Sequence, residues 1–130
     1  MAKKSAATAK PRVAVIGTGG TIASLGRGPL DISDYSAAGN IMAGDALVAR
    51  VPELAEVAEI QAVPFRNIAS TQLGWREWKE MLRIADQLVA KDKDLAGIVI
   101  THGTATLEET AYFLSLTAKV PVPIVVLGAQ

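Results

Sequence analysis

Val13-Ala14-Val15-Ile16-Gly17-Thr18-Gly19-Gly20-Thr21 decides the fold, because four β-forming apolar residues run straight into a glycine-rich turn that ends on a hydroxyl. A wholly apolar run suits a strand covered on both faces, which predicts a central strand in a parallel sheet. The same arrangement returns in Ile98-Val99-Ile100 followed by Thr101-His102-Gly103-Thr104-Ala105-Thr106. In open α/β sheets, residues leaving the carboxyl ends of neighbouring strands face a common crevice where ligands bind. Thr21 and Thr104 are therefore expected to meet in one site.

Outward from these turns the chain alternates between strand and helix signals. Gly26 to Gly39 is turn-forming without either period, the mark of a lid or a disordered loop. Asp45 to Val51 reads as a helix ended by Pro52, and Val57 to Pro64 as a second strand, before a loop carrying Asn67, Ser70 and Thr71. Trp75, Trp78, Leu82, Ala85, Leu88 and Val89 recur at three- and four-residue steps, which predicts an amphipathic helix over Trp75 to Lys91 with both tryptophans in the core. Ala96 to Thr101 is a buried-type strand; Thr106 with Glu109 reads as a capping box opening a helix to about Ala118, and Pro123 to Ala129 as a last strand. The expected class is α/β: an open, mostly parallel sheet with helices on both faces. It forms one domain over residues 13–130 behind a disordered basic tail, residues 1–12.

Composition narrows the function classes. The 130 residues, half of them hydrophobic, suffice for one ordinary core. Thirteen basic and thirteen acidic residues cancel, so no global field favours nucleic acid or anionic lipid, and neither is expected as a partner. The chain has no cysteine, which removes thiolate chemistry and disulfides and suits a reducing compartment. The basic N-terminus lacks the apolar run of a secretory signal, and no stretch approaches a membrane span, so a cytoplasmic location is expected.

The first turn has the glycines of a nucleotide cradle without its other parts. Ile22 stands where the dinucleotide fingerprint wants glycine or alanine, no helix opens there, and the next strand ends in Pro64-Phe65 with no acid for a ribose. No Gly-Lys-Ser/Thr follows to make a phosphate loop. What remains is a tight turn whose glycines admit a substrate and whose Thr21 hydroxyl sits at the mouth of the sheet. Thr21 either caps that turn or serves as a nucleophile, the second requiring a proton acceptor and oxyanion donors nearby. His102, the single histidine, either makes a fixed backbone hydrogen bond or acts as a general base. With no second histidine or cysteine near it, no metal and no cofactor are expected. Asp92, Asp94, Glu108 and Glu109 read as solvated turn and helix-start charges.

Both turns together resemble the bacterial-type L-asparaginases and glutaminases. Thr18-Gly19-Gly20-Thr21-Ile22-Ala23 is similar to the first signature of that family, and His102-Gly103-Thr104-Ala105-Thr106-Leu107-Glu108-Glu109-Thr110-Ala111 to the second. Asn67-Ile68-Ala69-Ser70 resembles the substrate-binding loop between them, and Asp34-Tyr35 stands where the family's mobile lid carries a tyrosine. The resemblance extends from Val13 onward. It implies hydrolysis of a side-chain amide of a small molecule by water, through an acyl-enzyme. Thr21 would be the nucleophile, Tyr35 its proton acceptor or hydrogen-bond partner, and Thr104 the residue that positions the water. Ser70 and Thr71 would bind the substrate, with Gly20, Gly103 and Ala105 around them.

Two departures qualify the carry-over. The family usually has aspartate at the position of Ala105, where it holds the substrate's α-ammonium group. Losing such a charged hydrogen bond, worth about 1.5–3 kcal/mol, costs roughly ten- to more than a hundredfold in recognition. Family members are also typically two-domain chains more than twice as long, and they use a lysine from the part missing here to partner the position of Thr104. The chain is accordingly expected to be the N-terminal piece of a homo-oligomeric protein whose site is completed by the remainder. The alternative is a catalytically impaired relative that binds a small amide or carboxylate, or a partner, without turnover.

Overall fold

The computed structural model describes residues 9–31, 33 and 39–129. Arg12–Gly17 (β1) lies inside a four-stranded sheet of order β4-β1-β5-β6, whose other members are Glu59–Val63 (β4), Leu95–Thr101 (β5) and Ile124–Leu127 (β6). Every neighbouring pair in it is parallel, with Val13 opposite Ile60 and Gly97, and Ile98 opposite Ile124. The central position expected for the first strand is thus met. β1 begins at Arg12, whose guanidinium reaches Asp92 Oδ1 and Asp94 Oδ2 at 2.5 and 3.1 Å, so that acidic turn is tied to the sheet.

Alternation along the strands divides the helices between two faces. Ala14, Ile16, Ile98 and Ile100 pack against Met81, Ala85 and Leu88 of Trp75–Lys91 (α3) and Leu114 of Leu107–Thr117 (α4), and these residues form the core. On the other face Gly44–Ala49 (α1) crosses β1 and β4, so close that a Cβ on Gly17 would fall 2.6 Å from Gly44 Cα. The helices therefore cover both faces, as the α/β pattern predicts. α3 starts where Gly74 N–H donates to the Glu77 carboxylate at 3.3 Å, and it ends at Asp92, in the extended region.

Three local expectations need correction. Val57 closes a single helical turn, Leu54–Val57 (α2), and the strand begins at Glu59; four residues are too few to show a helical period. Trp78 is partly buried and stacks on Phe113 with ring centroids 5.1 Å apart, but Trp75 is 63% exposed. As the first residue of α3, Trp75 reaches beyond the sheet, touching Phe113 edge-on at 5.6 Å with Lys79 Nζ 5.4 Å from its ring. Finally, Thr106 does not cap α4: its hydroxyl donates to Ser70 O at 2.8 Å instead. An additional antiparallel pair, Ser24–Leu25 (β2) with Asn40–Ile41 (β3), clasps the base of the long glycine-rich loop, within which the described residues carry no helix or strand.

Candidate active site

Three loops leave the carboxyl end of the sheet and each ends in a short 3-10 turn: Thr21–Ala23 after β1, Ser70–Gln72 after β4, and Thr104–Thr106 after β5. They are stitched to each other through backbone groups. Thr18, fully buried, donates both its N–H and its hydroxyl to Thr101 O, at 3.1 and 2.9 Å. Ile68 N–H donates to Thr18 O and Ile68 O accepts from Gly20 N–H, both at 3.1 Å. Thr106 Oγ1 closes the ring by its bond to Ser70 O.

Only glycine fits where the first two loops cross the third. Gly20 has φ 75°, and a Cβ there would overlap the Gly103 backbone. Gly103 in turn packs on Ser70, so that a Cβ on it would lie 2.8 Å from Ser70 Oγ. With this close approach the three turns enclose a cavity of about 180 Å³ lined by Gly20, Thr21, Ser24, Ile41, Ala69, Ser70, Thr71, Gly103, Thr104 and Ala105. Such a volume suits a small molecule, below the roughly 300 Å³ at which drug-sized pockets begin.

Thr21 and Thr104 therefore line one cavity, together with Gly20, Ser70, Thr71, Gly103 and Ala105. Thr21 is half-buried, Ser70 is buried, and Thr71, Thr104 and Ala105 are exposed at the rim. Tyr35 lies outside the described residues. Asn67 faces a different cavity, of about 240 Å³, beside Gly44 and Phe65. Ser24 and Ile41 were not foreseen. Ser24 follows Thr21 by three residues in a 3-10 turn and donates its hydroxyl to Gly20 O at 2.9 Å, a spacing the sequence does contain. Ile41 arrives through the β2–β3 pairing, which spans an aperiodic loop and leaves no local signal.

His102 sits directly behind this cavity and is fully buried. Its Nδ1 is 2.7 Å from Gly103 O, and its Nε2 is 2.8 Å from Thr110 Oγ1, which Trp78 Nε1 reaches at 2.8 Å. A carbonyl only accepts and an indole N–H only donates. The hydrogens can then be assigned in one consistent way: Nδ1–H donates to Gly103 O, Thr110 O–H donates to Nε2, and Trp78 N–H donates to Thr110. Burial pushes the His102 pKa below the usual histidine value, against the opposing pulls of the Gly103 carbonyl bond and of Glu109 and Glu108. The fixed backbone bond is thus the role the geometry gives this ring, and both ring nitrogens are occupied away from the cavity. Among the described residues no three His, Cys, Asp or Glu side chains come together to hold a metal ion, and no helix is long and apolar enough to cross a membrane.

Comparison with known proteins matches residues 12–130 to the model of the asparaginase N-terminal domain. The chain is 36% identical over 120 residues to L-asparaginase 2 of Bacillus subtilis, covering 92% of this chain and 31% of that protein. It is 42% identical over 118 residues to a glutaminase-asparaginase of Pseudomonas fluorescens, covering 91% of this chain and 32% of that one. The crystal structure of a probable cytoplasmic L-asparaginase from Campylobacter jejuni superposes with a TM-score of 0.75 at 38% identity, over 92% of this chain and 35% of the other. A Haemophilus influenzae relative, 40% identical, is named as a probable periplasmic enzyme. The chain spans about a third of the length of these relatives. On the extent and identity of these matches, the protein belongs to the asparaginase family, within which it corresponds to the N-terminal domain.

Proposed function

We propose that the protein containing this chain hydrolyses a side-chain amide, converting asparagine to aspartate and ammonia through a threonyl acyl-enzyme. The observation that carries the reading is the shared cavity: two threonines from two different strand ends line one space of small-molecule size. In the proposed reaction Thr21 Oγ attacks the amide carbon, the C–N bond breaks, and ammonia leaves with a proton. Water then attacks the acyl carbon and frees Thr21. Thr104 positions that water; Ser70 and Thr71 bind the substrate beside Gly20, Gly103 and Ala105. Tyr35 as the phenolate receives the Thr21 proton and passes it to the departing nitrogen. Because a free phenol has a pKa near 10, this role needs a neighbouring positive charge or hydrogen-bond donor that stabilises the phenolate once the loop closes.

Ammonia release from asparagine, glutamine and simple amides by the full-length protein tests this. Thr21→Ala should lower the rate at least about thousandfold, as loss of a nucleophile does elsewhere. A wild-type protein that releases no ammonia from any of these amides at high concentration would overturn it. A second reading is favoured by Ala105, which puts a methyl group at the cavity rim. It predicts a thermal shift with aspartate or succinate and no turnover. Cytoplasmic location and homo-oligomeric assembly complete the proposal, checked by fractionation and light scattering; β6 leaves Val125 half exposed at the sheet edge, a surface that favours association.

A further inference from the structure

We infer that His102 and Thr110 are positioning residues for Thr104, acting through the Gly103 carbonyl. Three elements converge on that carbonyl: Trp78 from α3, Thr110 from α4 and His102 at the end of β5 form an unbroken chain of hydrogen bonds that ends on Gly103 O. The Gly103–Thr104 peptide is planar and trans, so fixing its carbonyl toward the buried ring turns the Thr104 N–H the opposite way, away from His102. The relay therefore sets the plane from which the Thr104 side chain departs into the cavity. Its direction depends on chemistry specific to these types. Trp78 N–H can only donate, which leaves the Thr110 hydrogen for Nε2, which in turn leaves Nδ1–H for the carbonyl. A second clamp holds the other side of Thr104, where the Thr106 hydroxyl fastens the turn to Ser70 O.

The relay is separable from catalysis by a measurement that needs no substrate. Within residues 1–130 His102 is the single histidine, and in ¹⁵N-histidine-labelled full-length protein its ring signals are assigned as the pair that disappears in His102→Gln. At neutral pH the wild type should show a single tautomer with the hydrogen on Nδ1. Thr110→Val should release that tautomer into exchange and move the Thr104 amide resonance, whereas Thr110→Ser, which keeps the hydroxyl, should restore both. A hydrogen on Nε2 in the wild type, or a Thr110→Val protein that is folded and leaves the Thr104 amide unmoved, overturns the inference. The kinetic arm rests on the hydrolase reading: Thr110→Val should lose about tenfold in kcat with KM nearly unchanged, a fraction of the roughly hundredfold that an ångström of misplacement costs. Equal loss in the Thr110→Val and Thr110→Ser proteins would count against the relay. If no amide is hydrolysed at all, the hydrolase reading fails while the tautomer and the Thr104 amide still decide the relay.

Discussion

Thr21 and Thr104 reach the same cavity from turns built on different principles. The turn before Thr21 is shaped by the backbone: Gly19 and Gly20 adopt φ 98° and 75°, a region that side-chain-bearing residues avoid, and Gly20 presses on the Gly103 backbone. The turn before Thr104 has ordinary dihedrals, with Gly103 at φ −74° and ψ 145°. It is held by side chains: the His102 ring on the Gly103 carbonyl and the Thr106 hydroxyl on Ser70. A turn of the first kind tolerates no side chain at all, while one of the second kind fails when a particular hydrogen bond is lost. The lesson is that two hydroxyls lining one cavity do not imply equal sensitivity of the loops that carry them.

The sharpest way to break this comparison is to add one methyl group to each turn. Gly20→Ala meets positive φ and an immovable backbone together, so it should destabilise by on the order of 3 kcal/mol or more and abolish the cavity. Gly103→Ala meets no unfavourable φ, but its Cβ would fall 2.8 Å from Ser70 Oγ, 2.9 Å from Ser70 Cβ and 3.1 Å from Gly20 Cα, so the Ser70 loop must shift and not only its hydroxyl turn. It should cost about half as much, and pairing it with Ser70→Gly should recover part of that loss. Urea unfolding of the four proteins decides it. Equal effects of the two alanines would erase the distinction between the turns.

Next in size is the clamp between the second and third loops. Thr106→Val keeps the shape of the side chain and removes only the hydroxyl, leaving Ser70 O without that donor. The expected loss is about 1–2 kcal/mol by urea unfolding, because a carbonyl deprived of its partner in a partly buried site pays its desolvation cost. Had Thr106 been the cap of α4, the same change would lower helix content; here the helix should persist by circular dichroism while substrate affinity at the Ser70 side falls.

How much of this was legible follows from what range each feature depends on. The continuous apolar runs of β1 and β5 and the three-four spacing of α3 are local, so the parallel sheet and its longest helix could be read directly from Val13–Ile16, Ile98–Ile100 and the series Trp78, Leu82, Ala85, Leu88 and Val89. Met81, which that spacing left out, is nonetheless the most buried residue of the helix. The convergence of Thr21 and Thr104 followed from one general property of such sheets. Hidden from the sequence were features fixed across long separations. Ile41 is brought to the cavity by pairing with Ser24, and Thr106 finds Ser70 in place of its own helix. Trp75 fits the apolar period of α3 and yet projects past the sheet it was expected to pack on, since periodicity gives the face of a residue and not whether anything lies opposite.

The smallest effect is a slope in stability against pH, and it belongs to the side-chain-built turn alone. Burial lowers the His102 pKa in the folded protein, so between that lowered value and the ordinary one near 6.5 the unfolded chain binds more protons than the folded one. The sign follows: the contribution is fully present above about pH 6.5 and is lost progressively as pH falls toward the folded pKa. Glu109 and Glu108, at the start of α4, oppose the shift and moderate the slope, and the Gly103 carbonyl bond does the same. Urea midpoints taken between pH 7.5 and 5 should therefore decline for the wild type more than for His102→Gln, after both are referred to their values at pH 7.5. Parallel declines would mean that the ring is equally free to protonate in both states, and the third loop would then be held by something other than a buried neutral imidazole.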